Sequence, residues 1–440
     1  MAKTAQTTTI LEKPLVNEAT IGRLPKSWKT IHLNDVNAFS FESGLWTGKT
    51  APFINAQVLR NTNFNNDGTI DYSDIASLQV EERLIPRKQL LPGDILIERS
   101  GGGPKQPVGR VVFFPGQKGT FSFSNFTSRL RVLDRQNIDP LFVLYSLLLF
   151  HRNGGTLRMQ ENTTGIRNLK FEIYKQLELP KPPLAEQRAI AAVLSKIQDE
   201  AETQRKIVAQ LRELKAATMA KLFREGLNGE KLKKTEIGEM PGSWNTARLG
   251  AWCEKPRYGY TESATTRPVG PRFLRITDIR ESGVDWDDVP YCRCPSTYLH
   301  DLRLIPGDIV IARIGATTGK SFLVQSCPNA VFASYLIRLR VKAGLDSGYL
   351  SFFLQSEFYW KQIDAAKGNN LKGGVNAPIL SELVLPLPLI EEQQQIAHVL
   401  AKLDGHISTH EKYQTEINSF FSSTLQLLMA GRIRVSKEVE

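Results

Sequence analysis

Cysteine is scarce in this chain: 440 residues hold four, together with six histidines and five methionines. Cys253, Cys292, Cys294 and Cys327 all fall in the second half, and none forms a CxxC pair. Cys292-x-Cys294 has the wrong spacing for a zinc knuckle and the histidines make no HExxH pattern, so the thiols read as buried or incidental and no metal site is expected. No disulfide framework is expected either. Long apolar runs are missing as well. The longest, Pro140 to Phe150, is too short to span a bilayer, and the polar opening MAKTAQTTTILEKPL has no signal-peptide core. The expectation is a soluble cytoplasmic protein with no membrane partner.

Catalytic constellations are absent too. Gly315-Ala-Thr-Thr-Gly319-Lys320-Ser321 resembles a phosphate-binding loop, but it has three residues where four must separate the first Gly from Gly-Lys-Ser. Phe322-Leu-Val-Gln after it reads as a strand and not as the required helix. Lys181-Pro182-Pro183-Leu184 is not the Asn/Asp-Pro-Pro-aromatic motif of amino methyltransferases, and no nuclease cluster or nucleophile–base pair stands out. The chain reads as a binder with no catalytic residue and no cofactor of its own.

What is present is a repeat, which decides architecture before any local reading. Leu177 to Leu222, opening LELPKPPLAEQRAIAAVL, superposes on Leu383 to Leu428, opening LVLPLPLIEEQQQIAHVL. Upstream anchors follow in order. Ile21-Gly22 to Thr30 matches Ile237-Gly238 to Thr246, and Phe53-Ile54 with Arg60 matches Phe273-Leu274 with Arg280. Leu91-Pro-Gly-Asp-Ile-Leu-Ile-x-Arg99 matches Ile305-Pro-Gly-Asp-Ile-Val-Ile-x-Arg313, and Arg129 to Val132 matches Arg338 to Val341. The chain is a tandem duplication of globular unit and long helix.

Each globular unit mixes strands behind Pro-Gly-Asp turns with a helix, Asp139 to Phe150 in one copy and Ser347 to Trp360 in the other, which is an α+β pattern. The Pro-rich joints launch the long helices, where Pro lacks only an N–H that has no intrahelical partner. Both helices then carry a seam at alternating steps of four and three, through Ile190, Leu194, Ile197, Gln204 and Leu211 in one and Ile396, Leu400, Leu403, His410 and Ile417 in the other. That spacing is a coiled-coil signature, and pairing of one copy with the other is the natural way to cover both seams.

The formal charge is +11. Residues 184–226 contribute +2 and residues 390–430 contribute −3, so the globular remainder carries +12. A basic surplus so placed is the footprint of a polyanion partner, nucleic acid first, although a solubility charge would give the same number. The loops Ser100 to Arg110 and Gly315 to Lys320 are Gly-rich and basic, suited to phosphates or to the guanine edge. An ordinary hairpin with solvated charges has the same composition.

Two divergent units, each closed by L-x-L-P-x-P and a helix opening E-Q-x-x-I-A-x-V-L, resemble the DNA-specificity subunit of type I restriction-modification systems. The resemblance spans the chain after about residue 20. It implies two α+β target recognition domains, at 21–180 and 229–387, separated by two long helices, at 181–228 and 388–432, packed as an antiparallel coiled coil with internal pseudo-two-fold symmetry. An extension 1–20 and a tail 433–440 complete the chain. It implies a non-catalytic subunit reading a bipartite, asymmetric double-stranded DNA target, one half-site per domain. Two methyltransferase subunits and restriction/translocase subunits would be its partners, and S-adenosylmethionine, ATP and Mg would be bound by them. The candidate DNA-binding residues are Arg99, Lys105, Arg110, Arg280, Arg313, Thr317, Thr318 and Lys320. The candidate spacer and subunit-interface residues are Glu186, Gln187, Ile190, Leu194, Ile197, Leu211, Glu392, Gln393, Ile396, Leu400, Leu403 and Ile417. A structural adaptor that never touches DNA, and a nucleotide-using enzyme, are the competing classes.

Overall fold

The computed structural model describes residues 15–19, 22–45, 50–103, 106–163, 166–280, 283–368 and 374–435. Lys105, most of the expected extension and the tail beyond 435 lie outside the described residues. The chain forms two compact units. Unit 1 combines the chain up to Thr203 with the segment from Gln414 onward, and unit 2 is Gln204–Tyr413.

Unit 1 is built on β1 (Lys29–His32), β2 (Phe39–Ser43), β3 (Phe53–Leu59), β4 (Ala76–Glu81), β5 (Asp94–Glu98), β6 (Val111–Phe114), β7 (Phe121–Phe123) and β8 (Thr127–Val132). Helix α1 (Pro140–Arg152), strand β9 (Glu178–Lys181) and the long helix α2 (Leu184–Glu225) follow, α2 belonging to unit 1 as far as Thr203. An antiparallel sheet runs in the order β2-β8-β5-β6. Beside it β7 lies parallel to β3, which pairs antiparallel with β4, and β9 returns to pair with β1.

Unit 2 repeats this plan with β10 (Asn245–Arg248), β11 (Arg257–Tyr258), β12 (Arg272–Leu274), β13 (Ile309–Ala312), β14 (Ser321–Leu323), β15 (Ala330–Phe332) and β16 (Leu336–Leu339). Helix α3 (Ser347–Phe353), strand β17 (Val384–Leu387) and the long helix α4 (Ile390–Met429) follow, α4 belonging to unit 2 as far as Tyr413. Its sheet order is β11-β16-β13-β14, β15 lies parallel to β12, and β17 pairs with β10. The α+β architecture expected for each repeat is the observed one.

The Pro-Gly-Asp turns are explained by burial. Gly93 and Gly307 both sit at φ +93°, a conformation that a Cβ would strain. The Asp that follows each is fully buried. Asp94 accepts from the amide of Leu91 at 2.7 Å and from Arg131 through Nε and Nη2, both at 2.7 Å. Asp308 accepts from Ile305 N at 2.9 Å and from Arg340 at 2.7 and 2.9 Å. The hydrogen bond to Asp308 raises the Arg340 pKa above the usual arginine value. Arg129 and Arg338 are buried beside these pairs and donate to the carbonyls of Arg87 and Gln89 and of Asp301 and Arg303. Burial lowers both guanidinium pKa values, and arginine remains charged nonetheless. The Arg-Leu-Arg strands are therefore structural.

The Glu-Gln that opens each long helix joins helix to domain. Gln187 accepts from Asp139 N at 2.9 Å and donates to the carbonyls of Asn137 and Pro182 at 3.0 and 2.8 Å. Gln393 does the same with Asp346 N, Gly344 and Pro388, at 2.9, 3.1 and 3.0 Å. Each glutamine thus ties the N-cap residue of α1 or α3 to the proline joint. Glu186 takes the indole N–H of Trp28 at 3.2 Å and Arg434 at 2.6 Å, while Glu392 takes the indole of Trp244 at 3.0 Å and the amide of Leu227 at 3.0 Å. In these units Glu186, Gln187, Glu392 and Gln393 face inward.

The seam is buried in each unit by the other long helix. In unit 1, Ile190 and Leu194 share a core with Trp28, the apolar α1 and Phe421, Leu425 and Leu428 from the end of α4. In unit 2, Leu222 and Phe223 from the end of α2 share a core with Ile396 and Leu400. Start therefore packs on end in both units, which is antiparallel pairing. Ile417 is buried, whereas Ile197, Leu211 and Leu403 are half-buried. The matched polar positions meet: His410 Nδ1 lies 2.7 Å from Gln204 Oε1. Lys215 pairs with Asp404 and Arg212 with Glu411, each at 2.7 Å.

Two expectations are corrected. Ser347 to Trp360 is two helices, because the Ser356 hydroxyl accepts from Tyr359 N at 3.4 Å and caps a separate helix, Glu357–Gly368. The repeat alignment near β3 was also displaced. Leu59 faces Phe123 as Leu274 faces Phe332, so Arg60 corresponds to Arg275 and not to Arg280. Both arginines precede a 3-10 turn whose third residue, Asn63 or Asp278, accepts from the arginine amide at 2.9 Å.

Candidate nucleic-acid interface

The two Gly-rich loops are the β5–β6 and β13–β14 connections. In the second, the turn consumes its own amides: Thr318 N donates to Gly315 O at 3.1 Å, Gly319 N to Ala312 O at 2.8 Å and Lys320 N to Thr317 O at 2.9 Å. Ser321 opens β14. A phosphate cradle needs those amides free and a helix behind them, so the loop does not fit a nucleotide phosphate.

Arg110 and Lys320 are equivalent positions with opposite fates, each one residue before the strand that pairs with β5 or β13. Arg110 is buried and fully used. It donates to both oxygens of Glu98 at 2.9 and 2.8 Å and to the carbonyls of Phe64 and Asn61 at 2.7 and 2.9 Å. Arg110, read from the sequence as a DNA contact, is thus held inside the unit by Glu98 and two carbonyls. The position of Glu98 is Ala312 in unit 2, so no carboxylate is there to draw Lys320 inward, and Lys320 is exposed.

Thr318 is also turned inward, buried with its hydroxyl on Gly315 O at 2.7 Å. Thr317 is half-buried. Arg280 is exposed and paired with Asp288 at 2.9 Å, in a hollow lined by Arg275, Thr277, Asp278 and Asp285. Its two arginines face three aspartates, a poor match for a polyanion.

Besides exposed Lys320, Arg99 and Arg313 are the described candidates left with donors to spare. Arg99 N donates to Phe126 O at 2.8 Å and Arg313 N to Tyr335 O at 3.0 Å, and their own carbonyls accept from Leu169 and Val375 at 2.8 and 2.9 Å. The Arg99 guanidinium lies 4.7 Å from the Phe171 ring centroid and that of Arg313 lies 4.8 Å from Tyr258. Each side chain makes one long hydrogen bond, Arg99 Nη1 to Ser43 Oγ and Arg313 Nη1 to Ser334 O, both at 3.4 Å. At the same corner Phe126 and Tyr335 are 43% and 57% exposed, unusual for large rings.

The sequence family described as "Type I restriction modification DNA specificity domain" matches residues 25–213 and 288–419. The chain belongs to this DNA-specificity family. Among relatives of this specificity chain, the type I restriction enzyme MjaVIII specificity subunit of Methanocaldococcus jannaschii is 27% identical over 431 residues, covering 94% of each chain. The putative MjaX specificity subunit of the same organism is 24% identical, covering 94% of this chain and 96% of the relative. The crystal structure of a type I system S subunit from M. genitalium matches the fold with a TM-score of 0.61 at 16% identity, covering 96% of this chain and 99% of that one. No helix among the described residues of the specificity chain is long and apolar enough to cross a membrane. Nor do its described His, Cys, Asp and Glu residues form a group that could hold a metal. Burial pushes the Cys253 and Cys292 thiols up to about 12, so neither is a ready thiolate ligand.

Sequence reasoning missed Phe126 and Tyr335. Each lies a few residues before its Arg-Leu-Arg strand at the same repeat offset, and an aromatic at both places was the available signal.

Proposed function

We propose that this specificity chain reads a bipartite DNA target with two unlike half-sites, one per unit, and carries methyltransferase and restriction subunits on its long helices. The observation that carries this reading is the repeated corner, where a ring-stacked arginine and an exposed aromatic stand at the same place in both units while the surrounding side chains differ. Equivalent frames with different surfaces suit two different half-sites. The +12 charge of the globular parts suits the phosphate backbone.

Outward-facing apolar residues on the helices suit protein partners. On α4, Val399 and Tyr413 are exposed in unit 2 and Phe420 and Leu427 in unit 1, each pair separated by a multiple of seven and set off the seam. S-adenosylmethionine, ATP and magnesium belong to the partner subunits in this reading. Methylation and cleavage are their chemistry.

Duplex binding by the purified chain tests the reading. Affinity should fall steeply with salt, because each phosphate neutralised releases counterions. Long-read methylation sequencing with the partner subunits present should then show two unlike half-sites at fixed spacing. Inserting four residues after Glu200 should alter that spacing. Salt-insensitive or absent duplex binding would leave only a protein adaptor.

A further inference from the structure

We propose that Arg99 and Arg313 each read a guanine in the major groove, one in each half-site. This rests on the DNA-reading function above and names what its repeated corner recognises.

The first ground is how the guanidinium is held. In unit 1 the supporting ring is Phe171, and the β2 position beside the arginine is Ser43. In unit 2 the position of Phe171 is Ala377, and the position of Ser43, by its pairing on the central strand, is Tyr258. Tyr258 now supplies the ring, and its hydroxyl accepts from the Ala377 amide at 3.0 Å. The ring comes from a different element in each unit, yet the distance from guanidinium to ring is nearly unchanged. Two unlike supports that converge on one pose indicate that the pose itself is used.

The second ground is the unspent hydrogen-bonding capacity. A guanidinium has five N–H donors in a planar fork. Arg110, Arg131 and Arg340 place theirs on buried carboxylates. Among the described residues Arg99 and Arg313 have no carboxylate within ion-pair distance, although both are half-buried. A stacked, planar fork with free donors matches the O6 and N7 acceptors of guanine, whereas a phosphate contact needs only charge. Phe126 and Tyr335, whose carbonyls accept from the Arg99 and Arg313 amides, are exposed at the same corner and available for apolar contact beside the base read.

The test uses the full chain and the duplex whose two half-sites are defined by methylation sequencing. Each guanine is replaced in turn by 7-deazaguanine, which keeps base pairing and removes the N7 acceptor. Wild-type protein should lose affinity on the order of 10- to 100-fold at one guanine in each half-site. Arg99→Met, which keeps an unbranched stem and has no donor, should lose a similar factor on the unmodified duplex, be insensitive to deazaguanine at its own site, and remain sensitive at the other. Arg313→Met should show the reverse.

No deazaguanine effect, a half-site without guanine, or methionine variants that stay sensitive to deazaguanine at their own site would each overturn the inference and leave at most a phosphate clamp. The deazaguanine series needs no variant, so a folding defect in a variant cannot mask the answer. Failure of the wild-type chain to bind any duplex would overturn the DNA-reading function itself.

Discussion

Replacing Gln187 by alanine removes three hydrogen bonds from a side chain that is 1% exposed. The amide of Asp139 and the carbonyls of Asn137 and Pro182 lose their partner together. A buried polar group without a partner costs about 1–3 kcal/mol, and water entering the vacated space favours the low end, so the loss is about 3 kcal/mol for the three. In a unit of this size each kcal/mol lowers the Tm by about 2–4 °C, so the unit 1 transition should fall by about 6–12 °C. Differential scanning calorimetry of the full chain reads this directly. Gln187→Glu should be no better near neutrality, because a carboxylate cannot donate to either carbonyl. It should recover as pH falls, since burial raises the carboxyl pKa and the protonated form regains one donor. A shift under 2 °C for Gln187→Ala would refute the clamp and return Gln187 to the role of a partner contact.

Asp94→Asn and Asp308→Asn each leave a half-buried arginine without its counter-charge and should cost about 3–5 kcal/mol by denaturant unfolding. Replacing Gln204 and His410 together by leucine should stabilise the helix pair, because a half-buried polar contact is exchanged for apolar packing. Burial lowers the His151 pKa, so its contribution to stability is full above about 6.5, the ordinary imidazole value, and is lost as pH falls toward the folded value. His151→Gln should flatten that acid-side slope. Ala312→Glu should draw Lys320 inward as Glu98 draws Arg110, and the slope of log affinity against log salt should drop by about one.

The frame was legible in the sequence because it rests on short-range, repeated chemistry. Pro-Gly-Asp, Arg-Leu-Arg and Glu-Gln each occur twice, and the seam spacing picked out Ile190, Leu194, Ile396, Leu400 and Ile417, which are buried, along with Ile197, Leu211 and Leu403, which are half-buried. Their purpose was harder to see. Glu186 and Gln187 read as partner contacts, because nothing nearby in sequence announces that Trp28, 158 positions upstream, supplies the indole for Glu186. Arg110 read as a DNA contact because its burial depends on Glu98, a carboxylate twelve positions away on the neighbouring strand. The ring under Arg313 was invisible for a related reason. It comes from Tyr258, and only the pairing of β11 with β16 brings that residue to the loop.

Unit 2 is one continuous stretch of chain, whereas unit 1 needs the segment from Gln414 onward to cover Ile190 and Leu194 and to bring Arg434 to Glu186. During synthesis that segment emerges roughly 210 residues after the rest of unit 1, a wait of about 10–40 s at about 5–20 residues per second. For that interval the apolar start of α2 has no covering helix. The domain encoded first is therefore completed last, and nascent chains should be most prone to aggregation and to chaperone capture between those two moments.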